Sequence, residues 1–199
     1  MKLIATDLSC DRGGRSVFSD VNFAIGRGQL LEITGPNGAG KSTLLRLIAG
    51  LSEPAKGELK CEGGVGDLTA GQRAHYVAHQ DAIKPALSVA ENLGFWRDFL
   101  GGGDIGRALE SFNLKQLADY PAALLSAGQR RRLALSRLSL VFRMIWLLDE
   151  PTVGLDATSR MRLVGAMRGH LSEGGLILAA THVPLGIRPD VSLSLGDAQ

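Results

Sequence analysis

Gly35-Pro36-Asn37-Gly38-Ala39-Gly40-Lys41-Ser42 fits the pattern G-x-x-x-x-G-K-[ST], and its flanks make it more than a glycine turn. Upstream, Gln29-Leu30-Leu31-Glu32-Ile33-Thr34 predicts a short, largely apolar strand that feeds straight into the loop. Downstream, Ser42 to Leu51 carries Leu44, Leu45, Leu47, Ile48 and Leu51 at helical spacing, with Gly50 near the end. Strand, glycine loop and helix together form a P-loop, in which backbone N–H groups curl around phosphate oxygens with a helix N-terminus behind them. In such a loop Gly38 and Gly40 are the small residues and Lys41 reaches the β- and γ-phosphates. Ser42 offers its hydroxyl to Mg2+, and Thr43, one residue on, could bond the α-phosphate.

A second motif lies far downstream. Ile145-Trp146-Leu147-Leu148 predicts a buried strand, and Asp149 and Glu150 close it with two carboxylates. The C-terminal ends of strands are where α/β sheets place their ligands. A metal-ordering carboxylate beside a water-orienting one suits phosphoryl transfer, which depends on positioning and on stabilising charge. Between the two motifs stands Leu125-Ser126-Ala127-Gly128-Gln129, at the start of a predicted helix running to about Phe142. A helix beginning there points N–H groups outward, which suits an anion.

Around these landmarks the chain reads as α/β. Leu3 to Leu8 and Val17 to Ile25 alternate as half-buried strands, with a turn at Gly26-Arg27-Gly28. Gly57 to Gly66 is rich in turn residues, and Ala74 to His79 predicts a strand. From Asp81 to Leu124 the texture changes to helical segments broken by Pro85, Gly101-Gly102-Gly103 and Pro121. Further on, a helix is expected over about Ala157 to Leu171 and a strand over Leu176 to Ala180, leading to Thr181 and His182. Alternating strands and helices argue for a mainly parallel sheet covered on both faces. The expected organisation is one domain over 1–199, with residues 1–80 and 126–199 as the core and 81–125 as an inserted helical subdomain.

Composition narrows the function classes. The chain has 199 residues, 45% of them hydrophobic, and a net charge of +2 that gives no pull toward nucleic acid. Arg130-Arg131-Arg132 is the densest basic cluster and reads as a solvated helix face. No stretch approaches the roughly 18 unbroken apolar residues of a membrane span. The N-terminus meets Asp7 without an apolar h-region, so no signal peptide is expected. Cys10 and Cys61 lack metal-type spacing and are expected as reduced thiols. His75 and His79 are four apart in a strand, which does not place them as helical metal ligands, and they receive no metal role.

The order of P-loop, LSAGQ phrase and strand ending in Asp149-Glu150 resembles the nucleotide-binding subunit of ATP-binding-cassette (ABC) transporters along the whole chain. The resemblance implies an ABC ATPase fold, with a P-loop NTPase core, an N-terminal antiparallel β subdomain and the helical insertion. It implies ATP and Mg2+ as cofactors. Asp149 then orders Mg2+ through water, and Glu150 activates the attacking water. Gln80 senses Mg2+ and the γ-phosphate, and His182 is the switch histidine against the γ-phosphate. Ser126, Gly128 and Gln129 serve the nucleotide held by a second subunit related by a two-fold axis, and Asp156 belongs to a loop crossing that interface. The family commonly stacks an aromatic residue on adenine, but here Arg12 or Gly13 falls at that position. Arg12 could stack through its guanidinium plane, and a solvated arginine is the other reading.

Within the family, Leu125 to Leu138, Ile145 to Thr152, Ala90-Glu91-Asn92-Leu93 and Cys10-Asp11-Arg12 look most like the haem-exporter ATPase of bacterial cytochrome c maturation. That implies a peripheral subunit on the cytoplasmic side of the inner membrane, docked on integral membrane transporter subunits, and no nucleic-acid partner. An ATPase for another cargo (an ion, a lipid or a drug) is an alternative. A soluble ABC protein acting on ribosomes or DNA is another, although such proteins usually fuse two cassettes or carry a coiled-coil insertion.

Overall fold

The structure, a computed structural model, describes residues 1–63, 66 and 68–196. The chain divides into two compact units: Met1–Ala78 with Arg143–Pro151 and His170–Gln199, and His79–Phe142 with Thr152–Gly169.

The first unit holds two sheets. Strands β1 (Lys2–Arg12), β2 (Arg15–Gly26) and β4 (Lys56–Glu62) form an antiparallel sheet in the order β2-β1-β4. Strands β3 (Leu30–Thr34), β5 (Ala74–Val77), β6 (Ile145–Asp149), β7 (Leu176–Ala180) and β8 (Val191–Ser194) form a parallel sheet in the order β5-β6-β7-β3-β8. The β1–β2 connection is a two-residue turn at Gly13-Gly14, both with positive φ, as hairpins of this length require. Helix α1 (Lys41–Ile48) buries Leu44, Leu45, Leu47 and Ile48 in one core with Leu3, Leu8, Val21 and Ile25 of the antiparallel sheet. Leu31, Ile33, Ile145, Leu147 and Leu178 of the parallel sheet complete that core. Every residue of β6 and β7 is buried, which is why both read as unbroken apolar runs rather than as alternations.

Three local expectations need correction. Gly57 to Gly66 is not mainly turn, because Lys56–Glu62 forms β4; Gly64 and Val65 lie outside the described residues. No residue of β4 is fully buried, so no apolar alternation marks it. Gly57 itself is fixed by contact: at φ 80, an added Cβ would lie 2.3 Å from the Asp7 carbonyl oxygen. The helix from Ser126 stops at Ser136 and continues as a 3₁₀ turn over Arg137–Ser139. There the Ser136 hydroxyl donates to the Leu133 carbonyl, the back-bonding that loosens a helix end. Strand β8 was not anticipated. Its sequence, Val191-Ser192-Leu193-Ser194, is short and half exposed at the sheet edge, and Asp190 pins it by accepting from the Leu30 N–H at 2.8 Å.

The second unit is helical. Helix α2 (Val89–Leu100) begins with a reciprocal cap between Ser88 and Glu91 and ends at Gly101 with φ 82. Helix α3 (Ile105–Ser111) is capped by Asp104, and α4 (Ala127–Ser136) by Ser126. Buried Asn92 gathers the preceding loop, accepting from Lys84 N–H and donating to the Lys84 and Ser88 carbonyls. Arg131 departs from the solvated helix face expected of Arg130-Arg131-Arg132: it is buried and forms an ion pair with Asp81 at 2.8 Å, which offsets the cost of burying its charge. Helix α5 (Ala157–Ser172) starts in this unit and ends in the first.

At the end of α5, His170 stacks flat on Trp146, ring centroids 4.1 Å apart. Burial lowers its pKa to about 4, against hydrogen bonding with the Leu176 and Met144 backbone that pulls the other way. The unfolded chain therefore takes up a proton near pH 6.5 that the native state refuses until about pH 4. Stability from this residue is full above pH 6.5 and falls away through that window, by about 3 kcal/mol in all. Urea unfolding at pH 7 and pH 5 should show a larger loss for the wild type than for His170→Phe. Equal losses would show that His170 does not contribute.

Candidate functional site

The parallel order β6-β7-β3 sets the C-terminal ends of three strands side by side, and the candidate site is built at those ends. From β3 the chain enters the P-loop, where Gly35, Gly38 and Gly40 take φ values of 134, 86 and 93. These conformations turn successive N–H groups inward as a nest for an anion. Two of the glycines are also demanded by contact. A Cβ on Gly35 would lie 2.1 Å from the Leu195 carbonyl oxygen, and one on Gly40 would lie 2.8 Å from the Val17 side chain. Pro36, Asn37 and Gly38 form the exposed crest, while Ala39 is half buried.

Lys41 is buried, and its Nζ donates to the Gly35 carbonyl at 2.7 Å and the Pro36 carbonyl at 3.0 Å. Its ammonium is thus held inside the curl of the loop, where it can neutralise a polyphosphate. Ser42 and Thr43 follow on the first turn of α1, both half buried. Helix α1 has no acidic residue in its first turn, so nothing there competes for the positive end of its dipole.

Asp149 ends β6 opposite Ala180 of β7 and is buried. Helix α1, which carries Ser42, packs on β6. A buried carboxylate on β6 and a serine hydroxyl on α1 are hard oxygen donors of the kind Mg2+ takes alongside phosphate oxygens. Glu150 leaves the strand in the left-handed region at φ 48, a conformation that costs a non-glycine residue about 1–2 kcal/mol. Its N–H donates to the Ala180 carbonyl at 2.9 Å, which holds the turn. The carboxylate Oε1 lies 2.9 Å from His182 Nδ1. His182 is positioned by Thr181, whose hydroxyl donates to the Val183 carbonyl and accepts from the Val183 N–H. Glu150 is mostly buried and His182 mostly exposed.

Arg12 is exposed at the end of β1, in register with Arg15 across the hairpin. The contact of Val17 with Gly40 ties this hairpin to the P-loop within the same unit. Two contributors here were not singled out from the sequence: Val17, and Ala180 acting through its carbonyl. Neither is chemically distinctive as a residue type, so neither carried a signal.

The remaining candidates fall in the second unit. Gln80 is exposed just after β5. Ser126 and Gln129 form a reciprocal cap: Ser126 Oγ accepts from the Gln129 N–H at 3.2 Å, and Gln129 Oε1 accepts from the Ser126 N–H at 2.7 Å. Their own N–H groups are thereby used, so the outward donors at this helix start are those of Ala127 and Gly128. Gly128 is tightly placed, since an added Cβ would meet the Gly154 carbonyl at 3.1 Å. Asp156 accepts from the Ser159 N–H at 2.7 Å in the first turn of α5, and hydrogen bonds from Ser159 hold its carboxyl below the usual range.

Comparison with known proteins shows the family to which the chain belongs. The family model described as ABC transporter matches residues 18–153. The chain is 56% identical over 189 residues to the cytochrome c biogenesis ATP-binding export protein CcmA of Nitrobacter winogradskyi, covering 94% of each chain. It is 52% identical over 200 residues to the protein of the same name from Chelativorans sp., covering 98% of each. A solved ATP-binding subunit of an ABC transporter superimposes with a TM-score of 0.87 at 26% identity, over 98% of this chain and 86% of that one. A dimeric ATP-binding cassette in a post-hydrolysis state, bound to ADP and Pi, superimposes with a TM-score of 0.81 at 24% identity, and at that identity it speaks for the fold alone. It covers 97% of this chain and 94% of its own.

Proposed function

The chain belongs to the ABC transporter family as an ATP-binding subunit, and from that premise we propose that it powers an exporter serving cytochrome c biogenesis, with haem as cargo. It is an ATPase that works with membrane-embedded subunits. None of its described helices is long and apolar enough to cross a membrane. The proposed seat is the cytoplasmic side of the inner membrane. The relatives' shared name supports the cargo assignment.

The observation that carries the catalytic reading is the pairing of Glu150 with His182 beside buried Asp149, on strand ends adjoining the P-loop strand. In the proposed cycle the P-loop N–H groups and Lys41 hold the β- and γ-phosphates. Asp149 and Ser42 would hold Mg2+, which when bound screens phosphate charge. Glu150 accepts a hydrogen bond from a water and orients it in line at the γ-phosphorus, and His182 keeps the carboxylate aimed. As the water oxygen bonds to phosphorus, the bond to the bridging oxygen breaks and Glu150 takes up one proton of the water, giving ADP and phosphate, and then releases that proton to solvent. Arg12 is the proposed contact to adenine.

Two copies related by a two-fold axis complete each site in this reading. The Ala127 and Gly128 donors, with Ser126, Gln129 and Asp156, address the nucleotide on the partner's P-loop. Mixing tests this directly. Lys41→Ala keeps an intact phrase at 125–129, and Ser126→Arg keeps an intact P-loop. A mixed dimer has one site with both halves whole, so the mixture should hydrolyse and occlude more ATP than either parent. Mixed dimers shown by mass spectrometry to form, yet no better than their parents in either assay, would overturn the shared site. At the level of the complex, the tagged chain should co-purify with integral membrane protein, and recovery with ribosomes instead would overturn the transport assignment.

A further inference from the structure

Strands β7 and β8 both run parallel to β3 and flank it, so the chain must cross over β3 between Ala180 and Val191. Such crossovers usually carry a helix, with about a dozen residues or more in the connection. This one carries Pro184, Gly186 and Pro189 and forms neither helix nor strand. The two prolines lack the N–H groups a helix would need. An irregular segment therefore lies along this part of the sheet, and with Glu32 and Thr34 of β3 it lines a cavity of about 650 Å³.

The floor of that cavity includes Glu32. Its neighbours Leu31 and Ile33 point into the core, so by strand alternation Glu32 faces the other way. It sits between Ala179 and Ser192 in the middle of a parallel sheet, where apolar residues are the rule. Glu32 is half buried, and its carboxylate makes no hydrogen bond or ion pair among the described residues. Arg188 also lines the cavity but is exposed at its rim, where water screens its charge. Leu185, Ile187 and the prolines supply apolar walls.

We propose that this cavity binds a small, largely apolar molecule bearing one protonated amine, with the ammonium on Glu32 and the apolar body against Leu185 and Ile187. Its volume is that of small-ligand sites, roughly 300–1,000 Å³. A charge-assisted hydrogen bond in a half-desolvated site is worth about tenfold or more in affinity. The cavity is also lined by His182 and by Gly35 of the P-loop, so it adjoins the nucleotide site.

Benzylammonium and its neutral counterpart benzyl alcohol, titrated into the whole chain at pH 7 without nucleotide and followed by saturation-transfer NMR, test the site. Benzylammonium should bind saturably in the millimolar range, and benzyl alcohol about tenfold more weakly. Glu32→Gln should lower benzylammonium affinity to that of the alcohol while keeping wild-type ATP binding. Lys41→Ala should leave the benzylammonium titration unchanged, which separates this site from the nucleotide site. Equal affinity of the two probes, equal binding in Glu32→Gln, or no saturable benzylammonium binding would each overturn the proposal.

Discussion

Glu150→Gln should bind ATP as the wild type does and hydrolyse it about 10²–10⁴-fold more slowly, the range a positioned general base supplies. The substitution keeps the shape and one oxygen acceptor but removes the charge that draws a proton from water. It also replaces the charged partner of His182 Nδ1, now 2.9 Å away, by a neutral amide oxygen, which weakens the hold on the imidazole. With the γ-phosphate uncleaved, the ATP-bound pair of subunits should persist and elute as a dimer in gel filtration. Single-turnover hydrolysis measured beside equilibrium ATP binding separates the two effects. Full turnover by Glu150→Gln would move the water-orienting role to another residue.

Lys41→Ala should lose most ATP affinity. The wild-type ammonium is buried and already desolvated, donating to two carbonyls of its own loop. Its attraction for a polyphosphate is therefore stronger than that of a surface lysine, and charged hydrogen bonds of this kind contribute about 1.5–3 kcal/mol each. Removing it should weaken binding by at least about tenfold to a hundredfold. The Gly35 and Pro36 carbonyls would also be left facing inward, where they repel phosphate oxygens. Binding of labelled ATP at wild-type strength would show that the loop does not hold phosphate through this residue.

How much of this was legible beforehand follows from what each feature depends on. The P-loop and the strand ending in Asp149 are written in contiguous residues of distinctive type, and both stand where the sequence placed them. The fully buried strands β6 and β7 were legible because uninterrupted burial leaves an uninterrupted apolar run. Strands β4 and β8 were not, because each lies at a sheet edge with most side chains partly or fully exposed. The left-handed turn at Glu150 was hidden too. It is imposed by a hydrogen bond to Ala180, thirty residues on, which no local pattern encodes. The capping role of Gln129 is the reverse case. Ser126-x-x-Gln129 is a capping box that local sequence encodes in full.

The clamp of Leu195 on Gly35 has a consequence for the life of the chain on the ribosome. The phosphate loop is made early, yet its first glycine is pressed against the carbonyl of one of the last described residues, and the Leu195 N–H donates to Thr34. Its strand β3 gains both neighbours, β7 and β8, only when the final third of the chain has emerged. Pairings so distant in sequence form slowly. A nascent chain halted before β8 therefore carries every residue of the phosphate motif but not the wall that shapes it.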